Sequence, residues 1–99
     1  MVKHIVMWRF KEEFEGKNKK ENCLKVKELI ESLKEKIDGI ISLEVGINFE
    51  KSDQAFDIVL NSVFESNEAL QAYQIHPEHV KVADFIKKIV KERSVVDYK

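Results

Sequence analysis

The opening run Val2-Lys3-His4-Ile5-Val6-Met7-Trp8-Arg9-Phe10 constrains the fold most, because apolar side chains fill both of its alternating sets. Read as a strand, Val2, His4, Val6, Trp8 and Phe10 share one face, and Ile5 and Met7 lie on the other between Lys3 and Arg9. A strand of this kind needs apolar cover on both sides of its sheet.

The following segments supply helices for one side. A polar stretch from Lys11 to Lys20 leads into a helix in which Cys23, Val26, Ile30, Leu33 and Ile37 recur at three- and four-residue steps, with Leu29 widening the stripe. Asp38-Gly39 is its stop signal. Two β-rich runs, Ile40 to Phe49 and Phe56 to Phe64, flank the polar turn Glu50-Lys51-Ser52-Asp53-Gln54 and predict a hairpin. Ser66 is the expected N-cap of a short helix with Glu68 in its first turn and Leu70 and Tyr73 on a common side. Pro77, the only proline, disfavours helix at His76 and suits the first turn of a new one, so the helix breaks there. Beyond the break His79, Val82, Ala83, Ile86 and Val90 keep a helical rhythm that Phe85 and Ile89 broaden, and Arg93 to Tyr98 is β-prone.

That order predicts an α+β, ferredoxin-like βαββαβ protomer, a four-stranded antiparallel sheet with the helices on one face. Ile5, Met7, Val59 and Val63 would then point away from the helices, and a second copy of the chain is the expected cover, giving a homodimer. The 99 residues form one domain, 1–99, without repeat or linker, and a chain this short gains from a partner's buried surface.

Composition narrows the partners. Seventeen basic and 18 acidic residues leave a formal charge of -1, so no general attraction to nucleic acid or anionic membrane is expected. No apolar run approaches the roughly 20 residues of a spanning helix and no signal-peptide pattern opens the chain, which makes the expected location cytoplasmic. The single cysteine, Cys23, cannot form an internal disulfide and reads as a helix core residue. Gly16, Gly39 and Gly46 build no phosphate-cradling loop.

Chemistry is concentrated in Tyr73-Gln74-Ile75-His76-Pro77-Glu78-His79-Val80, where two imidazoles and a phenol surround the proline. An imidazole of ordinary pKa about 6.5 can remove a proton beside a carbonyl, and a phenol can donate to the emerging enolate oxygen. His79 is therefore the candidate base, Tyr73 the candidate donor and His4 an orienting group from the opposite wall. The plainer reading makes His79 a helix-start residue bonded to a carbonyl, Tyr73 a core residue and His4 a strand residue. Helical spacing does not decide whether Tyr73 and His79 converge across the bend. Trp8, Phe10, Phe56, Phe64 and Phe85 could line a pocket for a small hydrophobic ligand or simply fill the core. His76, Glu78, His79 and His4 could be read as metal ligands, but Pro77 interrupts the helix that would align the rings, and neither metal nor cofactor is expected.

Val2-Lys3-His4-Ile5-Val6, Phe64-Glu65-Ser66, the Tyr73 to Val80 segment and Val95-Val96-Asp97-Tyr98 together resemble the stress-responsive α/β-barrel family, Dabb, in order and over essentially the whole chain. The resemblance implies a dimeric α+β barrel in which two four-stranded sheets pack face to face. It also implies a range of function, from stress-associated, highly stable oligomers without assigned chemistry to a plant polyketide cyclase. In that cyclase a histidine and a tyrosine matching His79 and Tyr73 support aldol-type ring closure in a pocket between sheet and helices. By this resemblance His79 and Tyr73 are catalytic and the first-strand histidine has its counterpart in His4; the expected substrate-binding residues are His4, His76, Val26, Ile58, Trp8 and Phe85. Val26 and Ile58 occupy pocket positions where the cyclase has a tyrosine and a histidine, so its constellation is incomplete. The expected function is binding of a small hydrophobic carbonyl compound, with cyclase-like or lyase-like acid/base chemistry. The alternative is a non-catalytic oligomeric stress or structural protein.

Overall fold

A central strand, β1 (Val2–Phe10), organises the protein in a computed structural model that describes residues 1–99. After it come a small hairpin, β2 (Glu13–Phe14) and β3 (Lys17–Asn18), then helices α1 (Lys19–Glu31) and α2 (Leu33–Lys36). Strands β4 (Ile40–Ile47) and β5 (Ile58–Phe64), helices α3 (Asn67–Ile75) and α4 (Pro77–Ile89), and strand β6 (Val90–Tyr98) complete the chain. The main sheet has the order β4-β5-β1-β6 with every neighbouring pair antiparallel, which is the ferredoxin-like α+β fold.

The two faces of β1 separate as a period of two requires. Val2, His4, Val6, Trp8 and Phe10 are buried under the helices, and their cross-strand partners on β5, Phe64, Ser62, Leu60 and Ile58, are buried with them. Cys23, Val26 and Ile30 of α1, Leu33 of α2, Leu70 and Tyr73 of α3, and Val82, Ile86 and Ile89 of α4 close over that face. Ser62, the buried hydroxyl, donates to the His4 carbonyl at 2.7 Å and so enters the core satisfied. On the other face Ile5, Met7, Val59 and Val63 are half-buried, with Val96 exposed beside Ile5. No helix crosses that face.

Local chemistry sets the helix ends. Asn18 and Glu21 form a reciprocal capping box: the Asn18 side chain accepts from the Glu21 N–H at 2.9 Å and the Glu21 carboxylate from the Asn18 N–H at 3.1 Å. Ser66 caps α3 by accepting from the Ala69 N–H at 3.1 Å, as its sequence position predicts. The long first helix expected through Ile37 is interrupted instead. The Ser32 hydroxyl donates to the Leu29 carbonyl at 2.7 Å, competing with the helical ladder, and Ile37 takes an extended conformation while staying in the core. The polar connection after β1 contains the β2–β3 hairpin, whose turn places Glu15 and Gly16 at positive φ of 53° and 76°. Phe49 and Phe56, expected within strands, lie in the β4–β5 connection, and Val90 opens β6 rather than closing α4.

Gly39 sits at φ +91°, and a Cβ added there would lie 2.9 Å from the Ala69 Cβ on α3. Gly16 shares the left-handed backbone, but nothing lies within 4 Å of its missing Cβ. Gly39→Ala is therefore expected to lower stability by about 2–4 kcal/mol, conformational strain plus a steric clash, against about 1 kcal/mol for Gly16→Ala. Urea unfolding midpoints for both variants check this, and equal losses would show that the α3 contact is immaterial.

Candidate functional site

The proline break brings the candidate side chains together. Pro77 opens α4, and His76 is the N-cap, its backbone extended and its Nδ1 accepting from the Glu78 N–H at 3.1 Å. Chain direction changes between α3 and α4, which packs Tyr73 near the end of one helix against His79 in the first turn of the next. Their ring centroids are 4.5 Å apart at 51°. Phe64 of β5 supports the other side of Tyr73, with centroids 4.8 Å apart. His4 reaches the group from β1, edge-on to Tyr73 at 6.4 Å and 69°.

The His4, Tyr73 and His79 rings form one end of a cleft of about 500 Å³ between the sheet and the helices. Val6 and Trp8 of β1, Leu60 of β5, Ile30 and Leu33, and the inner face of α4 wall the remainder. Tyr73 is only 1% exposed, yet its hydroxyl has no hydrogen-bond partner in the protein and is not sealed from the cleft. Burial pushes the phenol up to about 12, so it stays a proton donor throughout the physiological range.

Each histidine has a distinct environment. His4 Nδ1 is hydrogen-bonded to the Asp97 carboxylate, with the imidazole buried and the carboxylate partly exposed. The pairing follows from register, since His4 stands opposite Asp97 across the β1–β6 ladder. His79 Nδ1 lies 3.0 Å from the Gln74 carbonyl oxygen. A carbonyl only accepts, so Nδ1 carries the proton and the neutral ring keeps its lone pair on Nε2. Desolvation lowers the His79 pKa from its ordinary value; the Gln74 hydrogen bond opposes the shift, and the charges of His4, Arg93 and His76 add to it. His79 is consequently a neutral base near pH 7.

Four of the eight residues expected at the site line the cleft: His4, Trp8, Tyr73 and His79. The other four lie outside it. His76 is engaged as the α4 N-cap. Val26 is fully buried in the core under α1. Ile58 is buried at the opposite end of the sheet, where it borders a separate depression beside the β4–β5 connection with Met7 and Phe56. Phe85 projects from another side of α4, edge-on to Phe14 at 6.4 Å and under the Lys25 ammonium at 4.3 Å. The structure thus brings four of the eight to one cleft and places the other four elsewhere. Phe10 and Phe64 are core residues, and Phe56 lies beneath the Arg9 guanidinium. No three His, Cys, Asp or Glu side chains converge as metal ligands.

Sequence reading overlooked Gln74 and Arg93 as cleft residues and Asp97 as the partner of His4. Strand register would have revealed Asp97, because residues directly opposite on antiparallel strands share a face.

Fold and cleft together define a small ferredoxin-like α+β protein with a tyrosine and two histidines at one end of a mostly apolar cleft. The chain belongs to the Stress responsive A/B Barrel Domain family, Dabb, which matches residues 2–99. Among solved structures, it is similar to a dimeric protein of unknown function with a ferredoxin-like fold from Bacteroides fragilis, at 33% identity and TM-score 0.80, covering 99% of this chain and 94% of that one. At3g17210 from Arabidopsis thaliana is 27% identical with TM-score 0.82, over 100% of this chain and 94% of the other. The hydroxynitrile lyase of Passiflora edulis shares the fold at 17% identity and TM-score 0.82, over 98% and 90% of the two chains. No match was found among curated proteins.

A pH titration tests the electrostatics of the site. The His79 resonance in an NMR titration is expected to move with a midpoint below its ordinary value of 6.5. Because the unfolded chain then binds more protons than the folded one in the interval just under that value, stability rises with pH through the interval and is lost as pH falls through it. His79→Gln should flatten that part of the stability profile. A midpoint at or above the ordinary value would refute the desolvated environment.

Proposed function

We propose that this protein is a homodimer that binds a small hydrophobic carbonyl compound in the cleft and catalyses proton transfer beside its carbonyl, with cyclase-like or lyase-like consequences. The convergence of His4, Tyr73 and His79 at one end of an otherwise apolar cavity carries this reading. His79 Nε2 takes the proton from carbon, and the C–H electrons pass into an enolate whose oxygen accepts a hydrogen bond from Tyr73. His4, oriented by Asp97, fixes the far side of the reacting group. In ring closure the enolate carbon attacks a second carbonyl of the same molecule, and His79 returns its proton to the new alkoxide. In the lyase direction the carbon–carbon bond breaks and these proton transfers reverse. The Passiflora enzyme is a lyase on this fold, which is compatible with the second direction. A cytoplasmic setting accords with the free thiol of Cys23.

Deuterium incorporation next to the carbonyl of a medium-chain methyl ketone reads the first step without requiring the natural substrate. The wild type should accelerate exchange. His79→Ala should reduce the protein's contribution by about 10²-fold or more, the scale of a lost general base, and Tyr73→Phe by about 10²-fold, the scale of a lost oxyanion donor. Exchange unaffected by both substitutions would overturn the catalytic assignment.

The dimer rests on the uncovered sheet face and on the dimeric state of the Bacteroides relative. Sedimentation is expected to give twice the 11.6 kDa chain mass at micromolar concentration. Val59→Asp, which puts an unpaired carboxylate on that face, should shift the protein to monomer. A wild-type species of single-chain mass would refute the dimer.

A further inference from the structure

The cleft is long, and its acid/base groups occupy only one end. Its lining along α4 runs from His79 to Lys87, a span of about 12 Å by the helical rise. Along β6, Asp97 stands opposite His4 and Arg93 opposite Trp8, positions about 13 Å apart by the strand rise. The two measures agree in placing the backbone of both Lys87 and Arg93 toward the end away from His4, from which the Arg93 side chain still brings its charge to bear on His79.

That remote end is cationic. The chain's other arginine, Arg9, pairs with Glu92 at 3.2 Å, donates to the Asp53 carbonyl at 3.0 Å and lies over Phe56. Arg93 borders the cleft and makes no ion pair or hydrogen bond within the protein, although its charge reaches His79. Lys87 approaches Asp84 only at 4.0 Å, both side chains being well exposed. Arg93, Lys87 and Asp84 thus leave one net positive charge at the mouth of a mostly apolar cavity.

We propose that the cleft takes an elongated carbonyl compound with a carboxylate head group, held by Arg93 near Trp8 while its carbonyl lies between Tyr73 and His79. The inference rests on the functional reading of the cleft given above and names its substrate class. A guanidinium presents two parallel donors that match a carboxylate, and Lys87 adds favourable charge. Asp84 at the same mouth opposes a doubly charged phosphate. The apolar walls between the two ends accept an alkyl chain. Arg93 is a specificity-determining residue in this arrangement, separate from the proton-transfer groups.

Binding of octanoate and of its neutral counterpart octanamide, measured calorimetrically at low salt with NMR shifts at Trp8 and Tyr73, tests the anchor independently of turnover. Octanoate is expected to bind about tenfold more tightly, the scale of a charge-assisted hydrogen bond at an accessible site. Arg93→Gln should remove this preference without changing octanamide affinity, and Arg93→Lys should retain part of it. If octanamide shifts Trp8 and Tyr73 while Arg93→Gln leaves octanoate affinity unchanged, the anchor is overturned and the cleft reading survives. Equal binding of the two ligands by the wild type, or tighter binding of octyl phosphate than of octanoate, also overturns the carboxylate anchor. If none of these compounds perturbs Trp8 or Tyr73, the cleft reading fails and the anchor falls with it.

Discussion

Antiparallel pairing of β1 with strands on both sides is the constraint on which the molecule depends. β5 and β6 read the same central strand, so its register assigns each of their residues to the helical face or the open face. His4 is thereby placed between Ser62 and Asp97, with Ser62 donating to its backbone carbonyl and Asp97 accepting from its ring. A shift of one residue would turn His4 outward and bring Ile5 and Met7 under the helices. The buried set Val2, Val6, Trp8 and Phe10 opposes that shift, since each side chain of this size is worth about 1.5–3 kcal/mol when fully buried. Core packing and site geometry are thus set by one alignment.

The second determinant is the proline break, through which helix capping sets the geometry of the candidate site. An unbroken helix through Tyr73 and His79 would place residues six positions apart on widely separated faces. Ending α3 at Ile75 and restarting at Pro77 lets both rings approach the same end of the sheet. His76 makes the restart favourable by accepting an otherwise unpartnered N–H of the new helix. Its contribution to the site is therefore indirect, through the direction in which α4 leaves the bend.

What was legible in the amino-acid order was periodicity. The two faces of β1 and the inner stripe of α4 are regular patterns, and both recur in the structure. The interruption at Ser32 was not legible because it depends on a single hydroxyl competing locally with the helix. Phe49 and Phe56 suit strands by intrinsic preference, but the β4–β5 ladder ends before it reaches them. Half of the site followed the same division. Residue chemistry pointed to Tyr73 and His79, whereas their approach depends on the bend between helices. Asp97 was visible as part of a terminal pattern, but its role required the strand register. His76 was read for its imidazole, when the proline immediately after it was also a signal for a capping position.

The cleft's polar groups further restrict what can occupy it. His4 Nδ1 is taken up by Asp97 and the Nδ1 proton of His79 is directed to Gln74, whereas the Tyr73 hydroxyl has no protein partner. Water can serve that hydroxyl when the cavity is open. A pure hydrocarbon filling the cleft would strip its hydration and return no hydrogen bond, a penalty of about 1–3 kcal/mol. An acceptor at the same point recovers the interaction. On the proposed reading, apolar walls would provide affinity without much discrimination, and Tyr73 would select molecules with an oxygen at the histidine end. In the proposed proton transfer the same preference would strengthen as a carbonyl becomes an enolate, because the phenol would then donate to a charged oxygen. In the proposed reaction, ground-state selection and stabilisation of the developing charge would both follow from leaving the Tyr73 hydroxyl unpartnered in the fold.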